Sequence, residues 1–60
     1  MATGWYIFRG VDFHHVCYMD MQGAEVGSPG RHFFPTQQEA EQVARRFGWR
    51  NYEITWSFMP

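Results

Sequence analysis

The chain has 60 residues and a net charge of −1, with five basic side chains, all arginine, six carboxylates and one cysteine. A chain this short forms one domain and buries only about 60 % of the surface it exposes when unfolded, which leaves little room for a catalytic cleft beside a core. The near balance of charge argues against a non-specific electrostatic grip on nucleic acid. A lone Cys17 cannot form an intramolecular disulfide and points to a reducing, cytoplasmic setting. Neither a leader nor an apolar run long enough to span a membrane is visible. Aromatic residues are the anomaly: at 20 % of the chain they exceed what one short helix can cover.

Taken in order, residues 5–9 (WYIFR) are β-branched or aromatic at most positions and predict a strand that ends at Gly10. On it Trp5 and Ile7 face one side, Tyr6 and Phe8 the other. Residues 13–19 (FHHVCYM) predict a second strand, with Phe13, His15, Cys17 and Met19 opposite His14, Val16 and Tyr18. Residues 20–23, from Asp20 to Gly23, read as a hairpin turn. A short third strand is expected over residues 24–26, stopped by Gly27, Ser28, Pro29 and Gly30.

The stretch 33–49 organises the rest. Thr36 and Glu39 have the spacing of a capping box, Ala40, Val43, Ala44 and Phe47 form one apolar stripe at helical period, and Gly48 stands where a left-handed residue ends a helix. An apolar residue before the cap is expected to pack on Ala40. After a brief turn over residues 49–51, Tyr52, Ile54, Trp56 and Phe58 alternate with Glu53, Thr55 and Ser57, the pattern of a strand with one buried and one wet face. The order is β-β-β-α-β in a single domain, residues 1–60: an α+β fold with a small antiparallel sheet of three to four strands and one helix on one face. Whether the last strand pairs with the first or the third is left open by the pattern.

Three groups of side chains carry possible chemistry. His14, His15, Cys17 and His32 are the metal-capable set, with His15 and Cys17 on one face of a strand, so a Cys/His zinc-stabilised domain is one alternative reading. The bland reading is that Cys17 packs as a small hydrophobe, and no metal or cofactor is expected. Cys17 beside His15 would also be the start of a thiol nucleophile, but no oxyanion hole or cleft accompanies it, and no enzymatic activity is expected. Arg45 and Arg46, with Arg50 just beyond the helix and Arg9 and Arg31 elsewhere, offer a basic patch for acidic side chains or phosphate, while Glu41 and Arg45 equally suit an ordinary i, i+4 pair.

The aromatic excess leads furthest. With one helix on one face, the rings of the other face stand open: Tyr6, Phe8 and Tyr18 if Trp5 and Ile7 point inward, or Trp5, Ile7 and Phe13 in the reverse case. Such rings suit a protein partner, a second copy of the chain pairing face to face, or stacked single-stranded bases. In topology the chain is similar to double-stranded-RNA-binding domains and to integrase arm domains, but the lysines those domains place on phosphates have no counterpart here. In length and composition it resembles the small orphan proteins of phages and other mobile elements, anti-CRISPR proteins among them. That resemblance implies a non-enzymatic protein-binding module that inhibits a host complex, such as a CRISPR effector, in the host cytoplasm. Trp5, Tyr6, Phe8, Tyr18, Arg45, Arg46 and Arg50 are the expected partner-binding residues. The alternative is a small nucleic-acid-binding domain using the sheet aromatics and arginines; neither a nucleic-acid partner nor a membrane is the leading expectation.

Overall fold

A computed structural model describes residues 3–10 and 15–58, with Phe58 described by its backbone alone. Strands β1 (Thr3–Gly10), β2 (Val16–Met19), β3 (Glu25–Val26) and β4 (Glu53–Phe58) form one antiparallel sheet in the order β3-β2-β1-β4. Helix α1 (Gln37–Arg46) joins β3 to β4 by way of a 3-10 turn over Ser28–Gly30. This is the expected α+β arrangement, and it settles the open pairing: β4 lies beside β1, in register from Thr3↔Phe58 to Phe8↔Glu53. On the other side of β1, β2 pairs from Phe8↔Tyr18 to Gly10↔Val16. Phe34 extends that side, its N–H donating to the Trp5 carbonyl at 2.7 Å and its carbonyl accepting from Trp5 N–H at 2.8 Å.

Two strands are shorter than their sequences suggest. The expected second strand begins at Phe13, but residues 11–14 lie outside the described residues and β2 begins at Val16, after His15. The third loses Ala24 to the turn. Asp20 Oδ1 accepts from Gln22 N–H at 2.8 Å and from Ala24 N–H at 2.9 Å, so the aspartate side chain takes donors that a longer ladder would need.

The helix follows its end signals closely. Thr36 Oγ1 accepts from Glu39 N–H at 3.1 Å, which satisfies one of the free donors of the first turn. At the other end Gly48 N–H donates to Arg45 O at 3.1 Å and Trp49 N–H to Ala44 O at 3.0 Å, the paired reversed bonds of a Schellman cap. Gly48 takes φ 76° there, a conformation that favours glycine. Glu39 in the first turn and Arg45 and Arg46 in the last complement the helix dipole.

The core sits between α1 and the sheet. Ile7, Met19, Ala40 and Ala44 are fully buried, Phe34 and Trp49 nearly so, and Trp5, Cys17, Val43, Tyr52 and Ile54 pack around them. Two alanines at the contact bring the helix backbone close to the strands. Phe34, two residues before the cap, joins Ala40 in this cluster, while Pro35, the residue next to the cap, is exposed.

One stripe residue departs from its expected place. Phe47 is 45 % exposed and lies across the β2–β3 turn, where a Cβ added to Gly23 would stand 2.3 Å from its ring. The Schellman reversal explains it. At Phe47 the helix has ended, and the turn through Gly48 carries Trp49, expected in a simple connection, into the core instead. No helix among the described residues is long and apolar enough to cross a membrane.

Candidate partner-binding face

Alternation along β1 divides its side chains between two surfaces. Ile7 is buried under the helix, so Trp5 and Arg9 share that side and Tyr6 and Phe8 stand on the other. The register Phe8↔Tyr18 adds Tyr18 beside Phe8. Phe33 joins them because Phe34 next to it is committed to the core, so the two consecutive phenylalanines point to opposite sides.

These four rings touch in a chain of tilted and edge-on contacts. Ring centroids are 5.8 Å apart for Tyr6 and Phe8, 5.8 Å for Tyr6 and Tyr18, 6.3 Å for Phe8 and Tyr18, and 6.1 Å for Tyr6 and Phe33. Such geometries favour the ring quadrupoles over face-to-face stacking. All four are half-buried by one another, since α1 packs on the opposite side of the sheet.

Arg31 closes the group. Its guanidinium carbon stands 4.7 Å from the Tyr6 centroid and 5.2 Å from those of Tyr18 and Phe33, within cation–π range of all three. The 3-10 turn delivers it there. Arg31 leaves Ser28–Gly30 in extended conformation, its Nη1 donates to Ser28 Oγ at 2.6 Å, and His32 N–H anchors the segment to Met19 O at 3.1 Å. The result is a planar cation laid on a bed of aromatic rings, bordered by the β4 side chains Glu53 and Thr55. A surface of this kind can take up a planar or aromatic group by stacking and a carboxylate or carbonyl by hydrogen bonding to the guanidinium.

The expected partner-binding residues are therefore divided. Tyr6, Phe8 and Tyr18 come together on this face. Trp5 is on the helix side, edge-on to Trp56 with centroids 5.5 Å apart. Arg45, Arg46 and Arg50 belong to the end of α1 and the turn after it; all three are exposed, and Arg45 Nη2 donates to Glu41 Oε1 at 3.1 Å, the i, i+4 pair of the bland reading. The sequence places Arg31 among the arginines of a basic patch but not with the rings, and it leaves Phe33 out of the site. Their signal was available in part: in a chain of alternating faces, Phe33 and Phe34 cannot both be core.

A second polar cluster lies on the helix side of the sheet edge. Arg9 spreads over the Trp49 ring, 4.2 Å from its centroid, and pairs with Glu25, whose Oε2 also accepts from Cys17 Sγ at 3.5 Å. Trp49 Nε1 donates to Gly23 O at 3.1 Å, which ties the same ring to the β2–β3 turn. The hydrogen bond from Arg9, then that from Cys17, holds the Glu25 carboxyl below its ordinary value, and the pairing holds Arg9 above its own.

A carboxylate whose titration is lowered by folding stabilises the fold at every pH where both folded and unfolded forms are ionised, and ceases to once the folded form is protonated. Its contribution is present above the ordinary value of about 4.5 and is lost as pH falls through the folded value below it. The expected outcome is that Glu25→Gln flattens the loss of thermal stability between about pH 6 and about pH 3 relative to wild type, read by melting curves across that range. An unchanged slope would remove Glu25 from the acid response.

The metal-capable residues that are described do not gather into one group. His32 is edge-on to Phe34 with ring centroids 4.6 Å apart, Cys17 is turned to Glu25, and His14 lies outside the described residues. Among the described residues no three His, Cys, Asp or Glu side chains stand together as a metal site. Comparison with family models, with curated proteins and with solved structures gives no match.

Proposed function

We infer that the protein is a non-enzymatic protein-binding module and that its docking surface is the sheet face carrying Tyr6, Phe8, Tyr18, Phe33 and Arg31. The observation that supports this reading is the placement of Arg31 over three rings on the side of the sheet that α1 leaves open. Tyrosine and arginine are the residue types that dominate binding energy at protein interfaces, and here they are held in place before any partner arrives. The likeness in size and composition to small inhibitors of phages and mobile elements makes a large host complex, such as a CRISPR effector, the partner class we propose. Single-stranded nucleic acid would use the same rings, but among the described residues Arg31 is the one cation lying over them, too few for a groove that tracks a phosphate backbone.

The test is affinity capture from host lysate with wild type, Tyr18→Ala, Arg31→Ala and the helix-surface variant Gln38→Ala, each first checked for an unchanged circular dichroism spectrum. Tyr18→Ala and Arg31→Ala are each expected to weaken recovery of a discrete partner by about tenfold or more, and Gln38→Ala to leave it intact. Equal recovery by all four would place the docking surface elsewhere. Recovery of nucleic acid alone, with affinity falling steeply in salt, would replace the protein-binding reading with the nucleic-acid one.

A further inference from the structure

Strand β4 is an edge, and the hydrogen-bonding pattern shows which of its groups are open. Trp5 exchanges both of its backbone bonds with Phe34, so its N–H and C=O point away from β4. In an antiparallel ladder the opposed pairs Trp5↔Trp56 and Ile7↔Ile54 are then the non-bonded ones, and Tyr6↔Thr55 is a bonded one. Ile54 and Trp56 consequently direct their N–H and C=O to the outer side, where no described strand pairs with them.

The two edges of the sheet are treated differently. β3 is two residues long and runs at once into the Gly27, Ser28, Pro29 turn, a short and interrupted edge that offers no ladder. β4 has six residues (EITWSF), no proline, glycine or lysine, and one charge. Apart from Glu53, none of the usual devices that discourage pairing is present on this edge among the described residues. Trp56 on this strand is also 48 % exposed, among the larger apolar side chains left in water.

We propose that a second copy of this chain occupies the β4 edge, antiparallel to it about a two-fold axis at Thr55, and that the protein is a dimer with one continuous eight-stranded sheet. The strand is self-complementary in that register. Ile54 faces the partner's Trp56 as a bonded pair, which satisfies the open groups on both, and this aliphatic–aromatic pair covers the exposed indole. Glu53 faces the partner's Ser57, so the one charge of the strand meets no like charge. Opposed residues of paired strands share a face, so both helices lie on one side and the two aromatic faces merge into one surface on the other. This differs from the face-to-face dimer the sequence suggests, and it does not rest on the docking role of that face.

Light scattering on the full chain over a concentration series is expected to give a mass near twice 7.2 kDa. Trp56→Lys, which puts a charge on the edge without touching the ladder to β1, is expected to halve that mass with an unchanged circular dichroism spectrum. In a Cys17→Ser background, Thr55→Cys is expected to form a disulfide-linked dimer under mild oxidation, since the two Thr55 positions face each other as a non-bonded pair. Glu53→Cys in the same background is expected not to cross-link. A monomer at millimolar concentration would overturn the proposal. So would a dimer that survives Trp56→Lys or in which Glu53→Cys cross-links as readily as Thr55→Cys.

Discussion

Trp49→Ala is expected to abolish the cooperative unfolding transition at room temperature. The indole is 8 % exposed, anchors the β2–β3 turn through Nε1 to Gly23 O, and carries the Arg9 guanidinium on its face. Removing a buried tryptophan costs about 3–5 kcal/mol, which is also roughly the whole stability a core of this size supplies. Three elements loosen at once: the turn, the end of α1 and the Arg9–Glu25 pair. Trp49→Phe keeps a ring in the core and loses the hydrogen bond, so it should remain folded with a loss of about 1 kcal/mol beyond the change in packing. Thermal denaturation by circular dichroism checks both, and a Trp49→Ala variant melting within a few degrees of wild type would show that the indole is not the anchor described.

Ile7→Ala is the second large effect, expected to cost about 2–5 kcal/mol, because the side chain is fully enclosed between the central strand and the helix. In a domain this small each kcal/mol lowers the melting midpoint by about 4–8 °C, so the variant is marginal at best. The neighbouring Tyr6→Ala makes the sharper comparison. Tyr6 is half-buried against Phe8, Tyr18, Phe33 and Arg31 on the other side of the same strand. It should melt above Ile7→Ala yet lose partner recovery, so adjacent residues separate stability from binding. The reverse order of melting would contradict the assignment of faces.

The local elements were legible because their signals are local. Thr36, Gly48 and the alternation from Tyr52 to Phe58 each act within a few residues, through a cap, a left-handed turn and a pleat. Asp20 likewise announces its turn, though its side chain reaches far enough to shorten β3 by one residue. Trp49 was not legible. Its burial depends on the direction in which the chain leaves the helix, and a stripe count that stops at Phe47 cannot supply that.

The site was legible by half for the same reason. Tyr6, Phe8 and Tyr18 follow from alternation and a sheet with one covered face. Arg31 follows from neither, since it comes from a loop folded back over the sheet by the 3-10 turn and the His32 bond to Met19. The arginines that drew attention in the sequence, Arg45 and Arg46, have a sufficient local explanation in the helix dipole and, for Arg45, in Glu41.

The most direct measurement is photo-cross-linking, with a benzoyl-phenylalanine placed at Tyr18 on the aromatic face or, as a control, at Gln42 on the exposed surface of α1. After irradiation in host lysate, the protein-binding reading predicts a discrete protein adduct from position 18 and none from position 42. An adduct from position 42 with none from position 18 would contradict it and move the partner to the helix.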